Sequence, residues 1–120
     1  MTRIVITGAC GKMGRVINDI VNTRDDCEII AGIDIAGEQY ADFPVYKKLF
    51  DLPEKPDVII DFSHPSLLDE LLDYCKINNV PVVIATTGYT DEQIKQIKTA
   101  AGQIPVFFTF NMSLGINPVS

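Results

Sequence analysis

Apolar positions along this chain fall into two spacings, and the spacings alternate. Ile4-Val5-Ile6 is an unbroken run that predicts a strand over about 3–7. Met13, Val16, Ile17, Ile20 and Val21 then recur at i, i+3, i+4, i+7 and i+8, one apolar face of a helix, with Arg15, Asn18 and Asp19 opposite. Ile29, Ile30 and Ile33 predict a second strand over 28–34. The pattern weakens between Ile35 and Pro56, where a short strand fits 40–46 and a short helix fits 47–52. Val58-Ile59-Ile60 forms the fourth strand, announced by Pro56 and Asp57. Pro65 suits the first position of a helix, where its missing N–H costs nothing. Leu67, Leu68, Leu71, Leu72 and Cys75 repeat on the inner face of that helix. Val82-Val83-Ile84 is a fifth strand. Thr90-Asp91-Glu92-Gln93 reads as a capping box. It opens a helix whose Ile94, Ile97 and Ala101 face inward and which Gly102 ends. Val106-Phe107-Phe108 is the sixth strand.

The strand runs are continuous, not alternating, which suits a parallel sheet covered by helices on both faces. Crossovers in such sheets are right-handed. The expected fold is α/β, a doubly wound parallel sheet of the Rossmann dinucleotide-binding kind, with strand order 3-2-1-4-5-6. In that architecture ligands bind beyond the C-terminal strand ends, where the order reverses. The loops at that edge are Gly8–Gly14, Asp34, Asp61–Pro65, Ala85–Tyr89 and Phe110–Ser113, and hydroxyl, amide and glycine residues concentrate there.

Gly8, Gly11 and Gly14 lie between the first strand and the first helix, and Asp34 follows Gly14 by twenty residues. A strand, a glycine turn, a helix, a second strand and an acid together predict a dinucleotide-binding βαβ unit. Glycine lets backbone approach a pyrophosphate without a Cβ clash. The helix N-terminus offers N–H groups and partial positive charge to phosphate, and the acid accepts bonds from the ribose hydroxyls. The spacing is GxxGxxG, one residue longer than the usual form.

At 120 residues the chain is one domain's length, and 47% hydrophobic residues suffice for a core. The net charge of −6 and the lack of a basic block argue against nucleic acid or an anionic membrane as partner. No apolar run is long enough to span a bilayer and no signal peptide is read. Three cysteines, Cys10, Cys27 and Cys75, without a CxxC pair argue against a disulfide framework or a zinc site and fit the cytoplasm. His64, the single histidine, has no catalytic partner in the sequence and is expected to edge the cleft or the helix start.

The segments GACGKMG, VIIDFSHP, ATTGY and FNMSLGIN, in that order, resemble the dihydrodipicolinate reductase family, NAD(P)H-dependent enzymes of lysine and diaminopimelate biosynthesis. The resemblance runs from Ile4 to Asn117. It implies that Gly8, Gly11 and Gly14 form the pyrophosphate loop, with Lys12 and Met13 over the adenosine side and Asp34 on the ribose. It implies that Phe62 and Ser63 pass beneath the cofactor and that Ala85 and Thr87 approach the nicotinamide. It also implies that Thr87 touches the substrate carboxylate and that Phe110, Asn111 and Met112 hold the carboxamide. Ala85 stands where the family usually has glycine, and its methyl is expected to crowd that contact slightly.

The family's second domain carries a His-His-x-x-Lys segment that supplies the proton donor and the substrate-carboxylate site, and this sequence does not contain it. Residues 1–120 are therefore expected to be the dinucleotide-binding domain, with no catalytic residue of their own and no turnover in isolation. The resemblance implies that the substrate of the full enzyme is a cyclic imine or enamine dicarboxylate. The full enzyme is expected to be a homotetramer and these residues alone a monomer or weak dimer. No arginine follows Asp34, so NADH is preferred and NADPH is the second cofactor. Two other readings stand beside this one: a homoserine- or aspartate-dehydrogenase relative, and a non-catalytic redox-sensing module.

Overall fold

The computed structural model describes residues 2–35, 43–62, 64–85 and 88–108. The strands are β1 (Thr2–Thr7), β2 (Cys27–Ile33), β3 (Val45–Tyr46), β4 (Val58–Asp61), β5 (Val82–Ile84) and β6 (Val106–Phe108). The helices are α1 (Lys12–Asn22), α2 (Leu68–Asn78) and α3 (Asp91–Ala100). The strands form one sheet in the order β3-β2-β1-β4-β5-β6, the predicted order, and every pairing is parallel. The order reverses beside β1, so the ends of β1, β2 and β4 open onto one edge, next to the turn that leads into α1.

The two sheet faces are unequal. Val5, Ile59, Val82 and Ile84 point to one side, where Leu68, Leu71, Leu72 and Cys75 of α2 and Ile97 and Ala100 of α3 bury them. Each large aliphatic side chain there contributes about 1.5–3 kcal/mol by leaving water, and Ile59→Ala would cost about 2–5 kcal/mol through the cavity it leaves. On the other side, Ile4 and Ile6 pack with Ala9, Val21 and Phe43. Val58 and Ile60 are only partly covered there, and Phe107 on β6 is 57% exposed.

The helix faces differ in detail from their sequence patterns. On α1 the buried line runs through Gly14, Ile17 and Val21, whereas Val16 and Ile20 are 42% and 51% exposed. The cause is Gly14: a Cβ there would lie 2.5 Å from the Ala9 carbonyl oxygen, so this part of the helix sits hard against backbone and fixes the rotation of the rest. On α3, Ala100 is buried and Ala101 is exposed, the reverse of the expected inner face. Thr90 caps α3 as predicted, accepting from the Gln93 N–H while the Gln93 side chain accepts from the Thr90 N–H. Leu67 lies in a 3-10 turn, Pro65–Leu67, ahead of α2, and is 37% exposed instead of joining the core. The short helix expected over 47–52 is a single 3-10 turn, Leu49–Asp51, tied to α2 where the Leu49 N–H donates to Glu70 Oε2 at 2.9 Å. The left-handed residue that ends α2 is Asn79, with φ of 55°.

Candidate functional site

The turn after β1 is built almost wholly from backbone. Gly8 takes φ of 70°, a conformation other residues adopt at a cost. Its N–H and that of Ala9 donate to the Ile33 carbonyl at 2.7 and 3.2 Å, which pins the turn to the end of β2. The Gly11 N–H closes back on the Gly8 carbonyl at 3.0 Å. Gly11 then serves as N-cap of α1 without a side-chain bond. Gly32 completes the packing from β2, since a Cβ there would meet the Ala9 methyl at 2.5 Å. The first turn of a helix leaves N–H groups without intrahelical partners. In α1 these belong to Lys12, Met13 and Gly14, and with the helix dipole they make an anion-binding end.

Asp34 follows β2 directly. Its N–H donates to the Tyr46 carbonyl at 2.9 Å, and its Oδ2 accepts from the Cys10 N–H at 3.0 Å. The predicted acid is thus fastened to the predicted glycine turn. Both border a cavity of about 240 Å³. Its walls are Ile33, Leu49, Leu67, Leu71 and Phe62, and its rim carries Gly8, Gly11, Asp34, Lys47 and His64. Ligand pockets of drug size run about 300–1,000 Å³, so this hollow suits a nucleoside-sized group and not a whole dinucleotide. An apolar slot with a carboxylate at its mouth is suited to a flat ring carrying a sugar.

A second piece of the edge is held by side chains. Asp61, the last residue of β4, is fully buried. Thr7 Oγ1 donates to its Oδ1, and the Tyr89 hydroxyl donates to its Oδ2 at 3.0 Å. The Asp61 carbonyl accepts from the Ala85 N–H at 2.9 Å, and the Phe62 N–H donates to the Thr7 carbonyl at 3.0 Å. One carboxyl group therefore joins the ends of β1 and β4 to the segment entering α3. Gln93 adds a bond from Nε2 to the Pro65 carbonyl at 2.9 Å. Burial, with Asp61 nearby, pushes the Cys75 thiol up to about 12, so it stays protonated and inert beneath this bridge at neutral pH.

Gly8, Gly11, Asp34 and Phe62 thus meet on one cavity. Gly14 lies within the turn against Ala9, and Lys12 is exposed at the start of α1. Ala85 follows β5 and does not line this cavity. Ser63, Thr87, Phe110, Asn111, Met112 and the side chain of Met13 lie outside the described residues. His64 edges the cavity as expected and also caps the 3-10 turn, its Nδ1 accepting from the Ser66 N–H at 3.1 Å. Sequence reasoning missed Lys47, Leu49 and Leu67 as cavity residues and Asp61–Tyr89 as a bridge. The signal for Lys47 was the pairing of a third strand beside the second. A partner for Asp61 across 28 residues had no local signal. A larger hollow of about 460 Å³ lies between the end of α1 and the start of β2, at the opposite edge of the sheet from the glycine turn. Among the described residues no group of three or more His, Cys, Asp or Glu could hold a metal ion, and no helix is long and apolar enough to cross a membrane.

Comparison with known proteins gives concordant matches. The family model for the N-terminus of dihydrodipicolinate reductase matches residues 2–112. A 4-hydroxy-tetrahydrodipicolinate reductase of Clostridium novyi is 41% identical over 120 residues, which is all of this chain and 48% of the relative. One from Clostridium tetani is 40% identical, over all of this chain and 47% of its own length. The chain thus spans about half the length of the relatives it matches. Among solved structures, a dipicolinate-bound dihydrodipicolinate reductase from Paenisporosarcina sp. TG-14 aligns with a TM-score of 0.71 at 34% identity, covering 84% of this chain and 43% of that one. A dehydrogenase from Chromobacterium violaceum, at 16% identity, aligns with a TM-score of 0.70 over 89% of this chain and 35% of its own, a likeness of fold alone.

Proposed function

The chain belongs to the dihydrodipicolinate reductase family, and on that premise we propose that its residues form the dinucleotide-binding domain of such a reductase. The observation that carries the proposal is the fastening of Asp34 to the Cys10 N–H at the mouth of an apolar cavity bordered by Gly8 and Gly11. The residues present fit a dinucleotide. A Cβ at Gly11 would fill the space 3.2 Å from the Gly8 carbonyl, and one at Gly14 would collide with Ala9. At Gly11 and Gly14 the turn therefore has little or no room for a side chain, and backbone is what a phosphate there would meet.

In this reading Gly8, Gly11 and the first turn of α1, with Lys12, hold the pyrophosphate. Asp34 accepts from the ribose hydroxyls, and Ile33, Leu49, Phe62 and Leu71 sandwich the adenine. Ala85 lies toward the nicotinamide end, which Thr87, Phe110, Asn111 and Met112 complete, while Ser63 continues beneath the cofactor from Phe62. The bound cofactor supplies a hydride from C4 of its nicotinamide to an electron-poor carbon of a cyclic imine or enamine dicarboxylate. The role of this chain's residues is to orient that end and exclude water from it. In the family the proton donor sits on a His-His-x-x-Lys segment, and the role proposed for these 120 residues is to bind and orient the cofactor. NADH is preferred, NADPH is accepted, and the whole protein works as a cytoplasmic homotetramer. The family assignment sets aside the homoserine- and aspartate-dehydrogenase reading.

Calorimetric titration with NADH tests the proposal. Saturable one-site binding that Asp34→Ala weakens about tenfold, the size of a hydrogen bond to a charged group, is expected. Binding that ignores Asp34→Ala would refute the site.

A further inference from the structure

We propose that Lys47 decides how well NADPH is accepted, its ammonium group receiving the adenosine 2′-phosphate. The inference rests on the dinucleotide reading above and adds a specificity residue to it. The chain after Asp34 runs Ile35-Ala36-Gly37-Glu38 and offers no cation to a phosphate on the ribose. Asp34 itself repels one. The missing charge comes from another element. β3 pairs with β2 in parallel register, Gly32 with Val45 and Ile33 with Tyr46. The Asp34 N–H extends that ladder by donating to the Tyr46 carbonyl at 2.9 Å. Lys47, the next residue, is thereby brought level with Asp34 and lines the same cavity as Asp34 and Ile35.

The ammonium group is available for this role. Lys47 is exposed and makes no ion pair among the described residues, whereas Arg3 and Arg24 are paired with carboxylates. Arg15, the arginine nearest the glycine turn, donates from Nε to the Cys10 carbonyl at 3.3 Å. A carboxylate and an ammonium group on one rim suit both cofactors: the first accepts from the ribose hydroxyls of NADH, the second offsets the repulsion that a 2′-phosphate meets at Asp34. Lysine is a flexible point charge without arginine's bidentate fork. It therefore permits the phosphate without requiring it, and salt screens its contribution.

The test uses the adenosine halves alone, 5′-AMP for NADH and 2′,5′-ADP for NADPH, titrated into the chain at low and at physiological salt. Lys47→Ala is expected to lower the ratio of 2′,5′-ADP affinity to 5′-AMP affinity about fivefold, the scale of an exposed ion pair. Lys47→Arg should restore the ratio, and salt should shrink the difference. The inference is overturned if the ratio in Lys47→Ala stays within twofold of wild type. It is also overturned if the ratio follows Lys12→Ala instead, or if the wild-type chain binds 5′-AMP but not 2′,5′-ADP. Failure of 5′-AMP and NADH alike to bind would overturn the dinucleotide reading itself, and the inference with it.

Discussion

Two pieces of backbone at the C-terminal edge of the sheet are held by opposite means. The turn after β1 depends on side chains that are missing. Gly14 and Gly32 let α1 and β2 close on Ala9, and Gly8 takes a left-handed φ. The bridge from β4 to the segment before α3 depends on side chains that are present, with Asp61 buried between the hydroxyls of Thr7 and Tyr89. The first arrangement fails when one carbon is added, whereas the second weakens by steps as oxygens are removed. A close-packed backbone turn has no room to relax, whereas a hydrogen-bonded bridge can lose a member and keep the rest.

The sharpest break of this contrast is Gly14→Val. Its Cβ would lie 2.5–2.8 Å from backbone atoms of Ala9, which cannot rotate away. A loss of more than about 3 kcal/mol in chemical denaturation is expected, together with loss of NADH binding. Next comes Asp61→Ala, which takes the acceptor from the buried Thr7 hydroxyl and the half-buried Tyr89 hydroxyl and opens a void, at a cost of about 3 kcal/mol by the same measurement. Tyr89→Phe removes one of those hydroxyls with its bond and should cost about 1 kcal/mol. An Asp61→Ala cost no larger than that of Tyr89→Phe would remove the distinction drawn for the bridge. The smallest effect lies at the far edge of the sheet, away from both pieces. There the Arg3 N–H donates to Asp57 Oδ2 at 2.8 Å and holds that carboxyl below the usual carboxylate range. A carboxyl with a lowered folded value stabilises above its unfolded value and loses that contribution as pH falls through the folded one. Asp57→Asn should therefore flatten the acid limb of a stability–pH curve slightly and leave the neutral region nearly level.

The same contrast explains what the sequence made legible. Glycines at 8, 11 and 14, an apolar run before them and an acid at 34 are all local signals. Strand order and the glycine turn followed from them without any knowledge of packing. The bridge was not legible, because Asp61 and Tyr89 meet across 28 residues and each looks like an ordinary polar loop residue. Lys47 was hidden for a related reason: its place beside Asp34 comes from pairing of a two-residue strand inside a stretch of weak periodicity. Val16 and Ile20 misled because periodicity marks an apolar face but not how a close-packed glycine rotates it.

The central claim is that both pieces embrace one dinucleotide, and amide chemical shifts of the isotopically labelled chain during NADH titration test it most directly. The account predicts saturable shifts at Gly8, Gly11, Lys12, Asp34 and Phe62, reaching Gly88 and Tyr89, with Gly14→Val abolishing them. Absence of shifts at saturating NADH, or shifts confined to the hollow between Asn18 and Glu28 on the opposite edge, would contradict it.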